Sequence, residues 1–313
     1  MSKPGPVKGS LKRHLNWWRN NCSNPYITNI ICEGYKLPLR HEPVGEFLNN
    51  NLSARKEPEF VTEEIEKLLS AGVLIEHKNP PLIVNAFTVA KNAANKLRLV
   101  LDLRQINTLL DIPKYKFEDL SVASDYFKVG GYMCVFDLKS GYHHVDIHPD
   151  YHKYLGCSWQ GRHYTYTVLA FGLSVAGLIF SKVVRELVKK WRSQQIPIVM
   201  YLDDGFFIAD SFELASSYAQ IIQTDLSAAG FIVNQEKSSW IPQQRVKWLG
   251  FHLDSLNNIF DVPQEKIVRL LSTIKNVEIF QDNCTARNLA KCVGKITSLF
   301  HALGTVVYIM TKN

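Results

Sequence analysis

Two adjacent aspartates stand inside an apolar run, Ile198-Val199-Met200-Tyr201-Leu202-Asp203-Asp204-Gly205-Phe206-Phe207-Ile208. Hydrophobic residues on both sides of two acids and a glycine predict a β-hairpin with the acids at its tip. Adjacent carboxylates repel each other, so a cation between them is favoured, and a divalent metal is the obvious one. Taken alone, the segment also reads as a plain solvated turn, because Asp-Gly is a leading hairpin-turn dipeptide. A second acid-bearing strand shifts the balance: Tyr132-Met133-Cys134-Val135-Phe136-Asp137-Leu138-Lys139-Ser140-Gly141-Tyr142. Asp137 falls where that strand leaves its sheet, the usual place for catalytic groups in open sheets, although by itself it also fits a helix N-cap. One acid on a strand and two on a hairpin can meet as three carboxylates around hard cations. That is the makeup of a two-metal phosphoryl-transfer site.

The elements that must position these groups follow from periodicity and chain breakers. Thr62 before Glu63-Glu64 starts a helix, with Ile65, Leu68 and Leu69 on its apolar face and Gly72 at its end. Residues 84–91 and 97–103 predict a β-hairpin with cations at its base. After the Asp137 strand come a short helix, strands over 153–159 and 162–168, and a long helix over 174–192. The aspartate hairpin leads to a helix over 212–229 stopped by Gly230, then short strands around Ile232 and over 248–253. Two final helices, 263–275 and 285–303, form an all-helical end, and the first forty residues read as an arm packed through Trp17-Trp18. The order predicts an α+β core with helices on one face of the sheet.

Of the 313 residues, 46% are hydrophobic, enough for a real core in two or three lobes, and the net charge is +7. A basic surplus on a metal–carboxylate enzyme points to a polyanionic partner. No run of eighteen apolar residues and no secretory leader is read, and the six cysteines lack C-x-x-C pairing. These features suggest an intracellular protein with reduced thiols and no membrane span. His144, His148 and His152 have helical spacing, but Pro149 interrupts the helix, so zinc is not expected. Arg287, Lys291 and Lys295 recur every four residues as a cationic ridge. In isolation that is a solvated face; beside a phosphoryl-transfer site it suits a nucleic-acid backbone.

Six ordered blocks resemble the reverse transcriptases, the RNA-directed DNA polymerases of retroelements, over roughly residues 30–305. They are the 96–107 segment Lys-Leu-Arg-Leu-Val-Leu-Asp-Leu-Arg-Gln-Ile-Asn, Phe136–Tyr142, Phe171-Gly172-Leu173-Ser174-Val175-Ala176, Tyr201-Leu202-Asp203-Asp204, Gly230-Phe231 with Glu236-Lys237-Ser238, and Trp248-Leu249-Gly250-Phe251. Gly34-Tyr35, Tyr154-Leu155, Ala290 and Gly294-Lys295 look most like the DIRS group of retrotransposons, with Ty3/gypsy next.

The resemblance implies a right-hand polymerase fold: an arm over 1–54, fingers and palm over 55–255, and a helical thumb over 256–313. It implies that Asp137 and Asp203 bridge two Mg²⁺ (with Mn²⁺ as substitute), Leu138 assists through its carbonyl, and Asp204 is a weaker ligand. Lys237 lies near the leaving pyrophosphate. Lys91, Arg98, Tyr142, Phe171 and Gly172 are expected at the dNTP, with Tyr142 rejecting a 2′-hydroxyl, and Trp248, Leu249 and Gly250 at the primer end. Partners would be an RNA or DNA template with its primer, dNTPs, and RNase H and recombinase or integrase on other domains or chains. Ala170 and Gly177 stand where the family usually has proline, and Gly141 where alanine is commoner; none removes a ligand. A remnant that only binds nucleic acid is the competing reading, and Tyr142 speaks against an RNA-dependent RNA polymerase.

Overall fold

A computed structural model describes residues 5–91, 95–279 and 285–297. The chain divides into two compact units, one of Met1–Lys116, Leu138–Leu187 and Thr224–Val233, the other of Phe117–Asp137, Val188–Gln223 and Asn234–Asn313.

The first unit carries a mixed five-stranded sheet ordered Glu46–Phe47, Ile83–Asn85, Gly156–Trp159, Arg162–Tyr166 and Leu74–His77. The strand expected over 84–91 is broken at Ala86, because Ile83–Asn85 joins this sheet while Phe87–Lys91 pairs with Leu97–Leu101 in a separate hairpin. The first predicted helix starts earlier, as Pro58–Ser70, since proline's fixed φ suits a first helical turn. The strand expected over 153–159 begins only at Gly156, because Pro149–Tyr154 forms a 3₁₀ helix, started by Pro149 and capped by His148. The arm is helical: Ser10–Arg13, Leu15–Asn21 and Pro25–Glu33. Its buried Trp18 donates the indole N–H to the Ala229 carbonyl at 2.8 Å, and His14 Nδ1 donates to the Ala228 carbonyl at 2.8 Å. Both satisfy carbonyls that the end of the helix Phe212–Ala229 leaves without intrahelical partners.

The second unit is built on an antiparallel four-stranded sheet ordered Ser239–Gln243, Tyr132–Asp137, Asp204–Ala209 and Ile198–Tyr201. Its core gathers Met133, Val199, Phe206 and Ile208 with Val246, Trp248, Phe251, Leu253 and Phe260. The single strand expected over 248–253 is a hairpin, Arg245–Trp248 with Phe251–Asp254, because Leu249 (φ 46°) and Gly250 (φ 74°) both adopt the left-handed conformation of a two-residue turn. Around Ile232 there is only an isolated bridge, Leu138 with Val233, whereas Ser239–Gln243 and Ile259–Asp261 are strands the pattern did not reveal. The long helices are Ala176–Ser193, Phe212–Ala229 and Gln264–Ile279. Residues 286–297 are helical, and the expected extension to 303 lies outside the described residues. Cys22, Cys32, Cys134, Cys157 and Cys292 are free thiols; Cys284 lies outside the described residues. Among the described residues no helix is long and apolar enough to cross a membrane.

Candidate active site

The aspartate hairpin turns two residues earlier than its Asp-Gly dipeptide suggests. Tyr201 pairs with Asp204, which leaves Leu202 and Asp203 as the two-residue turn. Leu202 adopts φ 55°, a conformation that costs about 1–2 kcal/mol in a residue with a side chain and persists only where its surroundings enforce it. Asp204 is the first residue of its strand and faces Asp137 directly across the sheet. Like charges directly opposite each other destabilise a sheet, so this pairing sets local stability against function. Gly205, the expected turn glycine, lies in the strand opposite Phe136.

Asp137 is buried at 8% exposure. Its N–H donates to Ser238 Oγ at 3.0 Å, and Ser238 Oγ donates to the Asn234 carbonyl at 2.7 Å. Lys237 Nζ stands 3.4 Å from the Asp137 carboxylate. Burial first, then the charges of Asp203 and Asp137, push Asp204 up to about 6, with Lys237 opposing. Burial also raises Asp203, and Asp137 adds to it. These acids are short of positive charge, which a hard cation would supply. Among the described residues no three His, Cys, Asp or Glu side chains stand ready to enclose an ion. The donor set fits Mg²⁺ of the kind held by one or two carboxylates together with substrate oxygens and water.

The first unit gathers a second set. Arg98 places its guanidinium 5.6 Å from the centre of the Phe171 ring, and Phe171 meets Tyr142 at 5.1 Å. Arg98 and Phe171 line an open cleft of about 550 Å³ with Lys96, Leu97, Ser140 and His143. Gly172 (φ 102°) has its missing Cβ position 2.6 Å from the Leu101 carbonyl oxygen, so the chain's own backbone already requires the glycine. Lys91 is exposed, 3.6 Å from Glu57. Leu138 is fully buried.

Asn107 was not singled out by sequence reasoning, although it lies in the 96–107 block. It donates to the Gly172 carbonyl at 2.8 Å and accepts from the Ser174 N–H and hydroxyl at 2.9 and 2.8 Å, fixing the loop that carries Phe171. Ser238, the last residue of the Glu236-Lys237-Ser238 block, supports Asp137 by accepting its N–H. A buried polar residue that satisfies distant backbone groups leaves no local signal beyond its block.

Trp248 packs its buried ring on Phe206 at 5.3 Å, so it supports the Leu249-Gly250 tip from within the core. In the cationic ridge Arg287 and Lys291 are exposed. Lys295 instead donates to Thr273 Oγ1 at 2.5 Å and to the Arg269 carbonyl at 3.3 Å, bracing two helices. Ala170 is fully buried, and Gly177 lies in the first turn of Ala176–Ser193.

Residues 89–253 match the family model described as reverse transcriptase (RNA-dependent DNA polymerase). The chain is 30% identical to the Pro-Pol polyprotein of Simian foamy virus type 1 over 191 residues, 60% of this chain and 16% of that protein. It is 24% identical over 195 residues to the retrovirus-related Pol polyprotein from transposon opus of Drosophila melanogaster, covering 61% of this chain and 19% of that one. The chain thus spans less than a fifth of these relatives. The foamy viral protease-reverse transcriptase in complex with RNA/DNA hybrid superposes with a TM-score of 0.64 at 19% identity, covering 94% of this chain and 40% of that one. The variant termed dRH, in complex with double-stranded DNA, gives 0.64 at 18% identity over 96% of this chain and 53% of that one. The fold is therefore the right-hand polymerase fold that the motifs implied.

Proposed function

The chain belongs to the reverse transcriptase family, and from that premise we propose that it is the RNA-directed DNA polymerase of a retrotransposon, extending a primer with dNTPs by two-metal phosphoryl transfer. The observation that carries the reading is the register that sets Asp204 opposite Asp137, one residue from Asp203 at the hairpin tip. We assign Asp137 and Asp203 as ligands of two Mg²⁺, with Mn²⁺ as substitute, the Leu138 carbonyl assisting and Asp204 as the weaker ligand. Bound there, the ions would lower the pKa of the primer 3′-hydroxyl and offset charge on the attacking and leaving oxygens, so no histidine base is required.

Other roles fall to side chains of this chain. Lys91 as a point charge and Arg98 through paired N–H groups hold the triphosphate. Phe171, braced by Arg98, and Gly172 form the turn beneath the nucleotide. Tyr142 excludes a 2′-hydroxyl by overlap. Lys237 donates a proton to the departing pyrophosphate. Trp248, Leu249 and Gly250 position the primer end, and Arg287 and Lys291 follow the nucleic-acid backbone, with Lys295 bracing the helix that carries them. We assign residues 1–54 to an arm, 55–255 to fingers and palm, and 256–313 to the thumb. Gly34-Tyr35, Tyr154-Leu155, Ala290 and Gly294-Lys295 favour a DIRS-like element over Ty3/gypsy. The partners are a template with its primer, and RNase H and recombinase or integrase on other domains or chains. The polyprotein names of the relatives, and the nucleic acid bound in the solved structures, support this assignment.

Primer extension on poly(rA)/oligo(dT) with Mg²⁺ tests the proposal. The expected result is dTTP incorporation, abolished by Asp203→Asn with template binding retained. Undiminished synthesis by that variant removes the ligand assignment. Binding without extension by the unaltered chain selects the remnant, and UTP incorporation selects an RNA polymerase.

A further inference from the structure

His144 is 1% exposed and closes the 3₁₀ helix Gly141–His144, which opens at Ser140 with φ 52°. Its Nδ1–H donates to the Gly141 carbonyl at 3.0 Å, and its Nε2 accepts the Ile232 N–H at 3.0 Å. Only the neutral tautomer with the proton on Nδ1 satisfies both contacts. The ring lies 5.1 Å from Phe231 and 6.5 Å from Phe180, and Phe180 in turn meets Tyr142 at 5.9 Å. Ile232 is itself fixed, because its carbonyl accepts the Lys139 N–H at 2.8 Å and the adjacent Val233 bridges to Leu138.

Two backbone bonds span the turn that carries Tyr142. His143 N–H donates to the Ser140 carbonyl at 2.8 Å, and Val145 N–H to the Tyr142 carbonyl at 3.2 Å. A single 3₁₀ turn is weak by itself because its hydrogen-bond geometry is poor. The Nδ1 contact lies within the turn and moves with it. The Nε2 contact ties the turn to a segment 88 residues further along the chain. We propose that His144 is the positioning residue of the Tyr142 turn, anchoring it to Ile232 so that the tyrosine discriminates deoxyribose from ribose. This rests on the reading of Tyr142 as the sugar gate. Steric exclusion of one hydroxyl depends on ångström-scale placement, so a loosened turn loses selectivity before it loses synthesis.

The readout is the ratio of kcat/KM for UTP and dTTP in primer extension, which a general loss of stability would not move. Gln places an amide oxygen near the position of Nε2 and keeps the anchor to Ile232; Asn places an amide N–H near Nδ1 and keeps only the bond inside the turn. His144→Ala and His144→Asn are expected to raise the ratio at least fivefold, toward that of Tyr142→Ala, while His144→Gln stays within twofold of the unaltered protein. If the alanine variant does not fold, the Asn and Gln pair decides. Equal ratios in Asn and Gln, or an unchanged His144→Asn beside a raised Tyr142→Ala, overturn the anchor and leave the gate standing. An unchanged ratio in Tyr142→Ala removes the gate and the inference with it.

Discussion

Gly205→Ala separates two explanations of the Asp-Gly dipeptide. If the glycine served the turn, alanine would suffer backbone strain. Gly205 is not among the positive-φ glycines, so the backbone tolerates a side chain and the whole cost is overlap. A Cβ there would sit 2.2 Å from Cζ of the Phe136 ring, 2.3 Å from Cε1 and 2.7 Å from Cε2. The ring has no easy retreat: Phe136 is 2% exposed and stacks on Trp240 at 5.1 Å and 14°. Overpacking of this kind costs about 1–3 kcal/mol, and a ring held on both sides places the cost near about 3. Thermal unfolding should fall by about 5–10 °C, and primer extension should fall with it, because Phe136 precedes Asp137 in the strand. The decisive measurement is a double-mutant cycle with Phe136→Leu, read by thermal and denaturant unfolding. With the ring gone, Gly205→Ala should cost under about 1 kcal/mol, a coupling of about 2 kcal/mol. A cost that persists at full size beside leucine, or no cost in the parent, would refute the packing argument.

Asn107→Ala should raise the KM for dNTPs several-fold and destabilise by about 1–3 kcal/mol, since it deprives the Gly172 carbonyl and the Ser174 N–H and hydroxyl of their partner; steady-state kinetics and denaturant titration check it. Asp204→Asn should raise the melting temperature in EDTA at pH 7 while weakening extension. The folded protein raises this carboxyl to about 6 and so disfavours its charge; the gain should fade as pH falls from 6 toward 3.8 and vanish below 3.8, where the folded and unfolded carboxyls are both protonated. Burial pushes His144 down to about 4 from 6.5, so the stability tied to its neutral form is complete above 6.5 and is lost as pH falls toward 4. That amounts to about 3 kcal/mol. His143 is pushed to about 4 as well, so His144→Gln should remove only part of the acid slope in equilibrium unfolding.

Much of the candidate site was legible because acids stand out in apolar surroundings. Asp137 and Asp203-Asp204 interrupt hydrophobic strands where a charge is costly without a purpose, and the strands themselves follow from their apolar runs. The helix Phe212–Ala229 matched its periodic pattern and its glycine stop. Other elements escaped for identifiable reasons. Ser239–Gln243 contains Pro242 and polar residues and pairs at a sheet edge with an irregular register, so it has no clean alternation. Trp248–Leu253 resembled one strand because a Leu-Gly pair announces a tight turn less strongly than Asn-Gly does. Ile83–Lys91 resembled one strand because hydropathy does not report that its halves join different sheets.

The sequence by itself determined which residues bear charge and which long stretches are helical or extended, since residue type and period are local properties. Register was decided only in three dimensions: that Asp204, rather than Asp203, faces Asp137 depends on where the hairpin turns, and that depends on Leu202 accepting a left-handed backbone. The same holds for Gly205, fixed by the Phe136 ring, and for His144, whose two ring nitrogens find partners 3 and 88 residues away. Hydrogen-bond and packing partners distant in the chain are set by the cooperative fit of the whole core, and a linear string carries no direct trace of them.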